Sequence, residues 1–213
     1  MSDMQNLLVG LAMGLNLIGL ASSRLTSLIR AAAVQGMVLG VLPLLLGHAS
    51  DWWVVFIALA TVVVKGFLIP ALLRNAVRRA RIDREVEPMI SFMASLLLGA
   101  TATVGALALA RVLPLRPEHE HTLLVPGAFA TVISGLLLLM GRAKAIAQVC
   151  GYLMLENGIY LFGMLLIKST PLLVEAGILL DLTVAVFVVG IMVDRIQRQF
   201  DSLDTRRLTE LHE

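Results

Sequence analysis

Residues 145–167 read Ala-Ile-Ala-Gln-Val-Cys-Gly-Tyr-Leu-Met-Leu-Glu-Asn-Gly-Ile-Tyr-Leu-Phe-Gly-Met-Leu-Leu-Ile, a stretch with one charged residue, Glu156. A helix needs about 20 mostly apolar residues to cross a bilayer core of about 30 Å. This stretch is long enough. Gln148, Tyr152, Glu156 and Tyr160 recur every fourth residue, so they form one polar stripe on an otherwise apolar helix, with Asn157 beside it.

The rest of the chain repeats the apolar pattern. Stretches at roughly 4–22, 31–47, 52–73, 88–113, 122–140 and 171–194 have the same length and character. The second is short and can extend back through Ser27-Leu28-Ile29; the third can run on into the basic segment Arg74–Glu87. Hydrophobic residues make up 58% of the 213 and charged ones 15%, against about 45–50% and about 25% in soluble domains. Mean hydropathy is +0.89. A soluble domain of this size could not bury that much apolar surface. The fold class is therefore all-α, a polytopic membrane protein of seven transmembrane helices.

Charge orients the bundle, because cytoplasmic connections carry an excess of Lys and Arg. Arg24 and Arg30 flank the first connection, Arg74, Arg78, Arg79, Arg81 and Arg84 the third, Arg142 and Lys144 the fifth, and Arg195, Arg198, Arg206 and Arg207 the tail. Arg111, Arg116 and Lys168 lie on the other side. The N-terminus is expected outside and the tail, 195–213, in the cytoplasm. Trp52 and Trp53 would then open the third helix at the outer interface, where indoles are enriched. Met1-Ser-Asp-Met-Gln-Asn lacks the basic region of a signal peptide, so the first stretch is expected to remain in the mature protein.

The residue inventory excludes much chemistry. Cys150 is the single cysteine, and His48, His119, His121 and His212 all fall outside the apolar stretches. No disulfide framework, cysteine-ligated zinc, iron–sulfur cluster or haem held between transmembrane histidines is expected of this chain. No phosphate-binding G-x-x-x-x-G-K-[ST] loop exists. A net charge of +2 gives no reason to expect nucleic acid as a partner. Glu118-His119-Glu120-His121 reads as a solvated loop, and Cys150 as packing.

Four ionisable residues sit inside the stretches: Lys65, Glu156, Glu175 and Asp181. Each costs about 2.5–3.5 kcal/mol to insert at a helix centre, and such residues usually mark an ion or proton path. Glu156 is eleven residues past Ala145 and Asp181 ten residues into the last stretch, so both lie about 15 Å deep. Glu175 lies in the outer half and Lys65 slightly to the cytoplasmic side. Hydroxyls, an amide and a central carboxyl in one stripe are the components of a proton relay. The candidate relay is Glu156, Asp181, Lys65, Tyr152, Tyr160, Gln148 and Glu175. Lys65 can either exchange protons or pair statically with Glu156 or Asp181. Pro70 cannot donate to the carbonyl of Gly66, so the third helix is expected to kink beside Lys65. Small residues let helix backbones approach. Gly10 and Gly14, Gly36 and Gly40, and Ser95, Gly99 and Thr103 are the candidate packing positions.

Gly151-Tyr-Leu-Met-Leu-Glu-Asn-Gly-Ile-Tyr-Leu161 resembles the second helix of NuoK-type subunits of complex I and of MrpC-type antiporter subunits. The whole chain resembles component E of the hydrogenase-4 family, the HyfE-like proteins. That resemblance implies four N-terminal helices, residues 1–121, ahead of a NuoK-like three-helix unit, residues 122–194. Aligned on Asn157, the NuoK glutamate falls at Leu153, and Glu156 lies one turn on at nearly the same face. In the last helix, Leu182-Thr-Val-Ala resembles the third NuoK helix. The second NuoK glutamate falls near Val188, with Asp181 about two turns towards the outside.

The resemblance implies a non-catalytic subunit of a group 4 [NiFe]-hydrogenase-like, complex I-related assembly in a bacterial or archaeal cytoplasmic membrane. Antiporter-like membrane subunits and hydrogenase-like peripheral subunits would be its partners. Nickel–iron and iron–sulfur centres would belong to them. Two alternatives stay open: a subunit of a multisubunit cation/proton antiporter, and a structural linker with statically paired charges. A rhodopsin-like pump would need a Schiff-base lysine in residues 171–194, and there is none.

Overall fold

The structure, a computed structural model, describes residues 2–45, 52–79, 86–114, 122–166 and 190. Among these the chain is helical and has no strand beyond an isolated bridge between Pro88 and Arg142. The helices are α1 (Ser2–Ala21), α2 (Leu25–Pro43), α3 (Trp52–Val63), α4 (Ile69–Arg79), α5 (Phe92–Val112), α6 (Leu124–Gly141) and α7 (Ala145–Leu166). A π-helical turn, Val64–Leu68, joins α3 to α4.

Local chemistry sets the boundaries. Arg24 is extended, at φ −112° and ψ 130°, which ends the first hairpin and starts α2 six residues before the apolar run does. α5 starts at Phe92, not 88, because the Ser91 side chain accepts from Ala94 N at 3.2 Å and caps the helix there. α4 carries the basic residues Arg74 and Arg78 beyond the apolar run, as a helix continuing out of the bilayer would. The expected stretch 171–194, with Glu175 and Asp181, lies outside the described residues.

Among the described residues, five helical stretches are long and apolar enough to cross a membrane: Asp3–Ala21, Leu25–Pro43, Ala58–Arg78, Phe92–Val112 and Leu124–Gly141. α7 is 22 residues long, about 33 Å of helix. The surface is apolar, and a polar layer is buried among the apolar side chains of the interior. Leu7, Leu11, Phe56, Leu59, Phe67, Met93, Leu97 and Val104 are exposed, while Asn16, Gln35, Lys65, Thr131, Ser134, Glu156 and Asn157 are buried. An apolar outside around a polar inside suits hydrocarbon as solvent. The protein is a membrane protein.

α6 and α7 form the tightest contact. A Cβ on Gly158 would come within 2.6 Å of Val132 N, and one on Gly135 or Gly151 would run into the backbone of Leu155 or of Leu138 and Leu139. These three glycines let the two backbones touch. α1 packs on α2, α5 and α6, and α2 packs on α3, α4 and α7. The connections α1–α2 and α6–α7 meet the segment before α5 at one end of the bundle. There Val86 N donates to Ser23 O at 2.8 Å, Met89 N to Gly141 O at 2.9 Å and Ala143 N to Glu87 O at 3.0 Å. Arg142 fastens this end. Its guanidinium is buried, donates to Leu20 O at 2.6 Å and Ile90 O at 3.1 Å, and lies 4.8 Å from the Phe92 ring centre. Leu20 O belongs to the last turn of α1, where the helix dipole favours a cation. Burial lowers the pKa of Arg142 from the usual arginine value, but arginine stays charged at neutral pH.

The proposed packing positions behave differently from one another. Gly36 and Gly40 do mark a close contact: an added Cβ would come within 2.7 Å of Lys65 Cβ and 2.9 Å of Val62 Cγ2. Gly99 sits against Leu20, and Ser95 is buried. Gly14 faces open space and Gly10 meets Leu123 only at 3.9 Å, so that G-x-x-x-G is no close helix contact among the described residues. Thr103 spends its hydroxyl on its own helix, donating to Gly99 O at 2.8 Å.

Candidate functional site

The polar residues of five helical segments meet in one layer near mid-helix. The π turn sets the position of Lys65. Pro70 has no N–H, so the α-helical ladder cannot close on the Gly66 carbonyl. Instead Ile69 N bonds Val64 O, five residues back, and the helix widens by one residue. Gly66 lies against Met37 and Gly36 against Lys65, so the widened turn sits directly on α2. Its lysine is directed inward, with 8% exposure.

Lys65 Nζ donates to Glu156 Oε1 at 2.8 Å, and Glu156 is 3% exposed. It also donates to Asn157 Oδ1 at 3.3 Å. The geometry puts Lys65 in direct contact with Glu156, which both proton exchange and static pairing require. The Tyr160 ring centre lies 5.9 Å from Nζ, one turn beyond Glu156, within cation–π range. A buried pair of this kind gains little net stability, because desolvation offsets the attraction. Deleting one partner is what costs, about 3–5 kcal/mol.

A chain of amides leads away from the pair. Asn157 Nδ2 donates to Gln35 Oε1 at 3.2 Å. Gln35 Nε2 donates to Asn16 Oδ1 at 2.7 Å and to Ala12 O at 3.2 Å. Asn16 Nδ2 donates to Thr131 Oγ1 at 2.9 Å. Asn16, Gln35 and Thr131 are fully buried. The result is a continuous hydrogen-bonded path from α7 and the π turn through α2 and α1 to α6.

The helix stripe divides. Glu156 and Tyr160 lie at the pair, and flanking Asn157 links it to the amides. Tyr152 packs at the edge of an apolar cluster containing Leu73, Ile146 and Leu153. Gln148 lies about two turns of helix from Glu156 and donates to Arg142 O at 3.0 Å, closing the end of α6. Glu175 and Asp181 lie outside the described residues. Sequence reasoning missed Asn16, Gln35 and Thr131. The available signal was that Asn16 and Gln35 are the strongly polar side chains in the interiors of the first two apolar stretches. Among the described residues no three His, Cys, Asp or Glu side chains converge as a metal site would require.

What the site can do follows from its groups. It holds a carboxylate and an ammonium in direct contact, so a proton can pass between them without solvent. The amides beyond can donate and accept hydrogen bonds but have no proton to release near neutral pH.

The chain is 35% identical over 192 residues to the uncharacterized protein Rv0085 of Mycobacterium tuberculosis, covering 89% of this chain and 87% of that one. It is 36% identical over 84 residues to hydrogenase-4 component E of Escherichia coli K12, 39% of each chain. The same extent of identity holds for hydrogenase-4 component E of Shigella flexneri. No family model and no solved structure matches.

Proposed function

The chain belongs to the family of the mycobacterial protein Rv0085 and is distantly related to hydrogenase-4 component E, and from this we propose that it is a non-catalytic membrane subunit of a hydrogenase-like, complex I-related assembly. Its part is to couple or conduct protons through Lys65 and Glu156. The observation that carries the reading is the buried Lys65–Glu156 pair at 2.8 Å in a chain otherwise apolar outside. An intramembrane ion pair that served stability alone could be replaced by packed apolar residues at little cost. A pair poised for proton exchange could not.

In this reading the chain is a HyfE-like protein with seven spans, the last being residues 171–194, an outside N-terminus and a cytoplasmic tail. Residues 122–194 form a NuoK-like unit. Asp181 and Glu175 extend the route from Glu156, and Tyr160 adjoins it. The partners are antiporter-like membrane subunits and peripheral subunits carrying nickel–iron and iron–sulfur centres. The location is a bacterial or archaeal cytoplasmic membrane.

The test is purification of the tagged full-length chain from its native membranes in mild detergent, with mass spectrometry of what accompanies it. Subunits with nickel and iron–sulfur ligands together with antiporter-like subunits support the proposal. Antiporter-like subunits alone transfer the chain to a cation/proton antiporter. A chain that purifies by itself overturns both.

A further inference from the structure

The amide chain has one direction, and that direction is fixed at both ends. Lys65 Nζ only donates, so Asn157 must turn Oδ1 towards it at 3.3 Å. Asn157 then has only Nδ2 left for Gln35, which must answer with Oε1 at 3.2 Å. At the far side of Gln35, the Ala12 carbonyl only accepts, and it independently requires Nε2 there, at 3.2 Å. Asn16 presents Oδ1 to the same Nε2 at 2.7 Å and passes its own Nδ2 to Thr131 Oγ1 at 2.9 Å. Every oxygen in the series faces the ammonium and every NH2 faces away.

We propose that Asn157, Gln35 and Asn16 are positioning residues, a one-way amide chain anchored on the α1 backbone that holds the Lys65 ammonium on Glu156. This inference rests on the Lys65–Glu156 reading above and deepens it. The free energy is in the first link. A lysine on an unbranched stem has many rotamers, and holding one costs entropy. Asn157 Oδ1, at 3.3 Å, adds a second directional contact to the one with Glu156 at 2.8 Å. Asn157 could fulfil that role in one orientation only. Rotated by half a turn about its amide, it would set NH2 against the ammonium. Gln35 prevents the rotation, because it offers Oε1 and not Nε2, and Gln35 is itself held by Ala12 O. All members are buried, so water cannot substitute for a lost partner, and aligned hydrogen bonds strengthen one another in such surroundings. The Gly36 and Gly66 contacts that press the π turn onto α2 put Gln35, one residue before Gly36, within reach of the site.

The experiment measures the pair directly. The full-length chain, isotopically labelled at Lys Nζ and Glu Cδ, is placed in lipid bilayers. Solid-state NMR then reads the dipolar coupling between Lys65 Nζ and Glu156 Cδ, assigned by its loss in Lys65→Met. Gln35→Met keeps length and volume but removes both hydrogen-bonding ends, and Asn157→Leu removes the first link. Hydrogen bonds to charged groups are worth enough for Asn157→Leu to lower the ratio of paired to unpaired lysine about tenfold. Gln35→Met should lower it about threefold, in protein of unchanged helicity. Wild-type coupling in either folded variant overturns the proposal. If neither variant folds, the wild type decides: a weak or multiple Nζ–Cδ coupling means the lysine is not held, and contradicts it. Loss of coupling in Gln35→Met while the purified assembly moves protons at the wild-type rate would leave the positioning role standing and defeat the functional reading instead.

Discussion

Removing Lys65 and Glu156 one at a time and together separates a formed pair from two polar residues that merely share a layer. In the structure Nζ and Oε1 are 2.8 Å apart, and the residues are 8% and 3% exposed. Lys65→Met leaves the Glu156 carboxylate and Asn157 Oδ1 without the ammonium. Glu156→Met removes the carboxylate that accepts from the ammonium at 2.8 Å. Each single change should cost about 3–5 kcal/mol, the cost of stranding one member of a buried pair. The double change strands no charge and puts two unbranched apolar side chains in the same space. It should cost no more than either single change, giving a coupling energy of about 3 kcal/mol. The assay is reversible unfolding of the full chain in mixed micelles, followed by helicity against the fraction of denaturing detergent. A double variant whose loss equals the sum of the singles to within about 0.5 kcal/mol would refute the pair.

Other consequences can be checked with simpler variants. Gly158→Leu places a side chain where a Cβ already meets Val132 N at 2.6 Å. It should destabilise the α6–α7 contact by about 1–3 kcal/mol, seen as a lower melting temperature, whereas Gly14→Leu, in open space, should not. Arg142→Gln removes the fork that joins Leu20 O and Ile90 O and should cost about 2 kcal/mol in the same assay. Arg142→Lys should recover only part of it, since one ammonium lacks the planar fork. For the seven-span topology, an alkaline phosphatase fusion after residue 50 or 118 should be active and one after residue 84 or 205 inactive. The opposite pattern would invert the assigned direction.

Much of this was legible because it depends on composition and local spacing. Apolar length located most of the described spans to within a few residues, but placed the start of α2 six residues late. Pro70 and Gly66 pointed to a kink beside Lys65, since a missing N–H disturbs the ladder; the structure has a π-helical turn there. Lys65 and Glu156 stood out because charge is rare in hydrocarbon. The packing of the glycines was less legible: a G-x-x-x-G pattern states that a helix face is flat, not that another helix lies on it, and among the described residues Gly10 and Gly14 carry the pattern without a close contact. The amide chain was not legible at all. Gln35 and Asn157 are 122 residues apart and Asn16 and Thr131 115, and although a buried amide needs a partner, the sequence does not say which distant residue supplies it. Only the crossing of α1, α2, α6 and α7 turns four ordinary residues into a series.

Proton movement by the assembly with Glu156→Gln tests the central claim most directly. The amide can still accept from Lys65 Nζ but cannot carry a proton. The complex is purified through the tagged chain, reconstituted in vesicles and supplied with its redox substrates, and internal pH is followed alongside electron transfer. Proton translocation should be abolished or strongly reduced while the subunit composition stays that of the wild type. Undiminished translocation per electron in the fully assembled variant would contradict the assignment of Glu156 to the proton route.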